Sequence, residues 1–521
     1  MMTSRARLRT ACAGLALAVG AAACNNDKIT NINQNPNSPE DVPATTLFTA
    51  ASRNAVDRWL GSNYNQREAS FVAQHMAEQQ YPDEDRYARL GASNTSFNFT
   101  GAYPTELENF KKVYLKGVAA KDPGVWAPAS VLTTWDYSYL TNTFGDIPYF
   151  QALSGDSLGG TTTPTYDSQK NIYADFFTKL DAASKALTGA QASLGKADPI
   201  YGGDPAGWQR FANSLRARLA ITLANVDPAT AGTQIQAALA APGGVITTNS
   251  QNANFSWPGD GVYNNGWSDF FKTRDDNRMS KTLIDIMNAN GDPRTGVYAQ
   301  PLPGTTNTYA GMPNGLTAAS AGKYANLASR VGAALFPGAT AYGTFGGSGA
   351  SFPSFIMTAA EVNFIEAEAA ARGLGGLNAG QAQGFYNAAI AASMQQWGVT
   401  DQSAITAFLA GPNVAYKGGV AGLTQIAVQK WIALFTDGGQ AWTEWRRTCQ
   451  PATIKPGPGA VNSTVPRRFM YSPTEYAVNG DAVKAAATSL GTNGDSFNGR
   501  MYWDTNPASA PTYPGSSCGA Q

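Results

Sequence analysis

Phe355–Gly373 reads FIMTAAEVNFIEAEAAARG, Leu374–Gly380 reads LGGLNAG, and Gln381–Val399 reads QAQGFYNAAIAASMQQWGV. The first segment opens as a capping box, Thr358-Ala359-Ala360-Glu361. In that motif the Thr hydroxyl accepts a first-turn N–H and the Glu reaches back to the N–H of the cap. Val362, Ile365 and Ala369 follow at helical spacing, and Arg372 then Gly373 form a helix stop. Phe385, Ala388, Ala389 and Ala392 repeat the apolar period. Two amphipathic helices on a short Gly-rich link pack antiparallel, and Ala-rich faces let their axes approach closely.

Around this hairpin stand 521 residues, 43% hydrophobic and 14% charged, a length that can bury one large core or several smaller ones. Lys+Arg and Asp+Glu balance at 37 each, so nothing points to nucleic acid. The 54 Gly, 29 Pro and 11% aromatics imply long ordered loops over a helical frame.

Residues 1–23 read as an export signal: Arg5, Arg7 and Arg9, an apolar run from Ala11 to Val19, then Ala21-Ala22-Ala23. The run is too short to anchor across a bilayer. Cys24 follows directly, in a pattern that resembles a bacterial lipobox, and its lipidation would tether the chain to a membrane surface. Ordinary secretion with a chance Cys is the alternative. Removing the signal also removes Cys12 and leaves Cys449 and Cys518 without another role; in an exported protein they are expected to pair.

Residues 24–41 are polar and serve as a tether. Helices are expected over Pro43–Leu60, Asn65–Gln80, Val125–Tyr149, Lys170–Leu187, Gly207–Asn225 and Arg278–Asn290, with two more in Leu423–Thr448 meeting at Asp437-Gly438-Gly439. Arg216 and Arg218 read as a solvated flank. Between residues 241 and 352 helical periodicity is otherwise lost and Gly, Pro, Asn, Thr and aromatics dominate, which reads as a long insertion packed on the helices.

The phrases MTAAEVNFIEAEAAARG, FGDIPY (144–149), WSDFFKTRDDNRMSKTLIDIMNANGDPR (267–294), VPRRFMYSPTEYAVN (465–479) and GRMYWDT (499–505) resemble, in order, those of the SusD/RagB family of outer-membrane nutrient-binding lipoproteins. Helix pairs that cannot bury their faces alone should stack. The resemblance implies the same result: a mainly α fold of tetratricopeptide-like pairs in a superhelical frame, over about 42–240 and 353–448 of a single domain spanning 42–521. The remainder is the insertion (241–352) and an irregular carboxyl segment (449–521). The resemblance further implies a lipid-anchored protein on the outer-membrane surface. It would act as a lid on a SusC-like TonB-dependent barrel transporter, capturing oligosaccharides, or peptides in some branches, with no covalent chemistry and no cofactor.

The residues themselves offer little for catalysis. His75 is the sole His and falls in an expected helix, and HExxH, P-loop and GxSxG motifs are absent. A hydrolase using two carboxylates stays open as an alternative. Glu361, Glu366 and Glu368 are explained by capping and solvent, and Asp83-Glu84-Asp85 reads as a solvated loop without EF-hand spacing, so no metal is expected. Binding remains. Trp59, Tyr81, Trp257, Tyr263, Trp267 and Tyr309 lie in or beside expected loops, where aromatic faces can stack on sugar rings. Asn264 and Asn265, with Asn252 and Asn254, add amide donors and acceptors, so the expected ligand site lies in Phe255–Phe271. The competing reading is that Trp257 and Trp267 pin the insertion to the helices. Trp431, Trp442 and Trp445 are assigned to the core by spacing.

Overall fold

The computed structural model describes residues 41–88, 90, 96–336, 348–504 and 518. The expected export signal, Cys24 and nearly all of the expected tether lie outside them. The fold is mainly α-helical. In chain order the principal helices are α1 (Ala44–Leu60), α2 (Glu108–Ala119), α3 (Pro123–Phe144), α4 (Gln169–Ala186), α5 (Pro205–Thr222), α6 (Pro228–Ala240), α7 (Gly266–Phe271), α8 (Lys281–Ala289), α9 (Ala359–Arg372), α10 (Ala382–Gln396), α11 (Gln402–Leu409), α12 (Gly419–Ala433) and α13 (Gly438–Thr448). Consecutive helices α2 to α6 pack each against the next, α9 packs on α10 and α12, and α5 touches α9, joining the two halves of the frame.

The sequence punctuates these helices strongly. Asp122-Pro123, Asp204-Pro205 and Asp227-Pro228 each place a capping carboxylate before a Pro in the first turn, where the missing N–H costs nothing. The helix over Pro228–Ala240, absent from the sequence reading, carries that same Asp-Pro start. Glu108–Ala119, also beyond the sequence expectations, carries no such Asp-Pro start. Gly145 (φ +94°) stops α3 and Gly373 (φ +66°) stops α9, both in conformations that favour glycine.

Three short antiparallel ladders bind the insertion and loops to the helices. β1 (Met76–Glu78) pairs with β5 (Asn277–Met279), β2 (Ile147–Pro148) with β3 (Tyr166–Asp167), and β4 (Ala253–Phe255) with β6 (Ser354–Met357). The expected helix over Asn65–Gln80 is thereby corrected: a π-helical turn, Ser62–Ala69, runs into one α turn, Ser70–Val72, and the chain then enters β1. His75 sits in the bend between that turn and β1, not in a helix. The carboxyl segment, expected to be irregular, contains α14 (Pro473–Val478) and α15 (Gly480–Ser489).

The main core gathers Trp59, Trp135, Trp208, Trp267, Trp431, Trp442 and others into one buried cluster, and a smaller one fills the space among α9, α10, α11 and α12 around Phe364, Tyr386 and Ile405. Glycine permits close approach in the frame: a Cβ on Gly438 would stand 2.5 Å from the Ser70 nitrogen.

Charges expected at the surface are instead inside. Arg218 and Glu361 are each 2% exposed and joined by two hydrogen bonds, Nε to Oε1 at 2.7 Å and Nη2 to Oε2. The capping box is accordingly half made: Thr358 Oγ1 accepts from the Glu361 N–H at 3.2 Å, but the carboxylate goes to Arg218. Glu368 receives both Arg447 terminal nitrogens at 2.6 Å, and Arg372 at 3.0 Å. Burial alone would raise its pKa, yet Arg447 and then Arg372 hold it down at about 2. Glu366 is buried without such a partner and is pushed up to about 7. Arg216 is held by Gln234 and Asp181. The acidic triplet is also largely internal: Asp85 is fully buried and accepts from Asn314 Nδ2 (2.7 Å) and the Gly315 N–H (2.9 Å), while Glu84 meets Arg67 at 3.1 Å.

Candidate functional site

The loop between β4 and α7 is a turn fixed by its own polar groups. Asp260 Oδ1 accepts from the N–H groups of Val262 (2.9 Å) and Tyr263 (2.8 Å), and those bonds hold its carboxyl below the ordinary carboxylate range. Asn264 Oδ1 accepts from the Gly261 N–H at 3.0 Å, and its Nδ2 donates to Asp269 at 2.9 Å. Gly259 and Gly261 supply the positive φ values of +67° and +91° that the turn requires. The turn presents the Tyr263 ring to solvent, 44% exposed. Arg53, from α1, lays its guanidinium over one face at 4.5 Å from the centroid.

Arg53 and Tyr263 form the partition between two adjoining cavities. The smaller, about 370 Å³, has Trp257 and Asn264 in its walls and Asp57 and Asp269 among its polar groups. The larger, about 650 Å³, lies between the start of α1 (Thr45, Thr49), Lys196 and Phe255. Asp57 is exposed, yet the surrounding walls raise its pKa, an effect that Arg53 and Arg58 oppose. The site therefore offers an aromatic face flanked by donors and acceptors, which is suited to polyhydroxylated ligands.

The expected site residues divide. Tyr263, Trp257 and Asn264 come together at these cavities. Trp257 is 6% exposed, its Nε1 donating to Ser354 Oγ at 2.9 Å, so it contributes an edge of wall and not an open platform. Asn265 is structural: it caps α7 by accepting from the Trp267 N–H (2.9 Å) and donates to the Phe352 carbonyl (3.0 Å). Trp267 and Trp59 are corrected to core. Trp267 donates to the Leu60 carbonyl at 3.1 Å and lies edge-on to Phe435; Trp59 donates to Asp136 at 2.6 Å and packs on Tyr64. Both are buried, so neither ring has a face for a ligand. Asn252 accepts from the first N–H of α9 at 2.7 Å. Tyr309 is half-buried over Gly296, away from the cavities. Tyr81 is 67% exposed at φ +55°, with Arg274 over its ring at 5.4 Å, and forms a separate patch beyond the far end of α7.

Arg53, Asp57, Lys196 and Asp269 went unread in the sequence. One signal was available: Thr46, Thr49, Arg53 and Asp57 recur at helical spacing as a polar stripe. Lys196 lies far from α1 in sequence and joins it only through the fold, where Thr49 Oγ1 donates to the Ala197 carbonyl at 2.6 Å. Among the described residues no cluster of three or more His, Cys, Asp or Glu is arranged to hold a metal ion, and no helix is long and apolar enough to cross a membrane.

A family model described as starch-binding, associating with the outer membrane, and SusD-like, matches residues 36–472. Among solved structures, a chitin-binding SusD homologue from Flavobacterium johnsoniae is 26% identical with a TM-score of 0.73, covering 88% of this chain and 99% of its own. A SusD homologue from Bacteroides uniformis is 26% identical, TM-score 0.73, with 89% and 100% covered. A SusD homologue from Parabacteroides distasonis, 23% identical at TM-score 0.74, covers 89% and 98% and bears on the fold alone. No curated protein sequence matches the chain.

Proposed function

This chain belongs to the SusD-like family of outer-membrane-associated starch-binding proteins, and from that membership we propose that it is a surface lipoprotein, anchored through Cys24, that binds oligosaccharides and hands them to a SusC-like TonB-dependent barrel. The observation that carries the binding reading is Tyr263: a solvent-facing ring on a turn braced by Asp260 and Asn264, backed by Arg53 and standing between two cavities. Capture of this kind needs no bond making. A sugar ring lies on the exposed ring of Tyr263 while its hydroxyls exchange hydrogen bonds with Asn54, Asn264, Asp57 and Asp269. Such a preformed site loses little entropy on binding, which favours rapid capture and release to a partner. The chitin-binding relative supports a carbohydrate ligand.

The test is calorimetric titration of the mature chain against a panel of soluble glycans and peptides. Tyr263→Ala is expected to weaken glycan binding by roughly 1–3 kcal/mol, as truncating an aromatic hot spot does, with the thermal midpoint nearly unchanged. Unaltered affinity would move the site elsewhere, and binding confined to peptides would replace the ligand class. Because Asp57 and Asp269 line one cavity, the mixtures are also assayed for cleavage; new reducing ends would turn capture into hydrolysis.

A further inference from the structure

The larger cavity is electrically one-sided. Its charged lining consists of Arg53 and Lys196, with no carboxylate. Neither cation takes part in an ion pair among the described residues. The two acids nearest to them in the chain, Asp198 and Asp57, do not line this cavity, although Asp57 feels the charge of Arg53. Asp198, two residues after Lys196, turns inward: its carboxylate accepts from the N–H groups of Ile200 (2.8 Å), Tyr201 (3.2 Å) and Gly203 (2.8 Å) and from Trp208 Nε1 (2.6 Å). Asp57, one turn after Arg53, lines the smaller cavity and not this one.

The two cations are held on one frame. The bond from Thr49 Oγ1 to the Ala197 carbonyl ties the turn bearing Lys196 to α1, which bears Arg53. Arg53 is oriented by its stack on Tyr263 and by one hydrogen bond to Asn54 at 2.9 Å, which leaves further N–H donors along the edge of the guanidinium. Thr45, Thr46 and Ser256 add hydroxyls, and Phe255 and Tyr263 add apolar faces. A neutral sugar seated here would dehydrate two positive groups without supplying a counter-charge, an arrangement that penalises it relative to an anion.

We propose that this cavity selects anionic saccharides, with a sugar carboxylate or sulfate ester between Arg53 and Lys196 and a sugar ring on Tyr263. The inference rests on the glycan-binding reading above and specifies its ligand class. Carboxylate and sulfate share the recognising chemistry, a bidentate or charge-assisted contact to a guanidinium with an ammonium beside it.

The mature full chain is titrated at low salt with trigalacturonate, a sulfated galactotriose and neutral galactotriose, alongside a panel of other neutral glycans and peptides. At least one anionic trimer is expected to bind about tenfold or more tighter than the neutral one, and to lose that advantage in about 0.5 M NaCl, where charges are screened within a few Å. Which anion binds tighter distinguishes the two sources of charge. Lys196→Gln and Arg53→Gln should each cut the ratio of anionic to neutral affinity by about tenfold, and Lys196→Glu should cut it further. Lys196 is exposed, so thermal melts of its variants should superimpose on the wild type, which separates lost selectivity from lost folding. Equal affinity for neutral and anionic trimers, or a ratio indifferent to both Lys196 variants, overturns the anion selectivity while leaving glycan capture in place. No binding of either anionic trimer also overturns it, and the parallel panel shows whether glycan capture falls with it.

Discussion

Tyr263 and Trp267 stand four residues apart and do opposite work. One is braced outward by Asp260; the other is 1% exposed and donates to the Leu60 carbonyl. Trp267→Ala should therefore cost roughly 3–5 kcal/mol of stability, through the cavity it leaves. Denaturant unfolding checks this, and a loss below about 1 kcal/mol would return the ring to the surface. His75 gives a pH-dependent counterpart. It is fully buried against Trp431, and because a carbonyl only accepts, Nε2 must donate to the Trp431 oxygen at 2.9 Å. Burial pushes its pKa from 6.5 down to about 3. The unfolded chain thus binds the extra proton first, so this term is fully present above pH 6.5 and is lost progressively as pH falls toward 3. The stability difference between wild type and His75→Gln should shift toward the variant over that window; a pH-independent difference would contradict the neutral buried imidazole.

At the scale of elements, α9 decides how the frame closes. Its apolar spacing is a surface signature, yet in the structure it is buried on nearly every side, against α5, α10 and α12. A helix enclosed in this way can keep Glu361 and Glu368 only if each meets a cation, and Arg218 and Arg447 provide them. Arg218→Ala should cost roughly 3–5 kcal/mol, because it strands a buried carboxylate. The double change Arg218→Met with Glu361→Leu should lose clearly less than the single one, since the charge and its partner leave together. Equal losses in the single and double variants would show that the pair is not coupled. The helix pair itself was legible from Thr358, Gly373 and the Ala-rich period. The inward direction of the acids was not, because a helix wheel shows which faces are polar but not how many neighbours surround it.

For the molecule as a whole, the bond between Cys449 and Cys518 joins the carboxyl end to the last turn of α13, across a sequence separation of 69. Chain entropy for a loop of that size gives about 4 kcal/mol of stabilisation. The double variant Cys449→Ser with Cys518→Ser should lose that amount in chemical unfolding. Reductant should bring the wild type to the same midpoint and leave the double variant unmoved; a midpoint indifferent to both would remove the bridge from the stability of the fold. Arg467 supports the same region, bound to Asp504 and to the Arg446 carbonyl at 2.7 Å.

Short-range chemistry in the sequence determined many of the helices and their ends: the Thr358 cap and the stops at Gly145 and Gly373. It also determined which stretch would form the loop wall, because Gly, Asn and Asp at 259–264 fold on themselves through contacts only a few residues apart. What only the tertiary structure decided was which aromatics face water. Trp59, Trp267 and Tyr263 all border loops, and their exposure depends on whether Asp136, Leu60 or solvent lies opposite. The same holds for charge: Arg218 and Arg53 are both arginines on helices, but one is enclosed by α9 and the other opens into a cavity shared with Lys196. Solvation is set by neighbours distant in sequence, so it appears only when the helices close on one another.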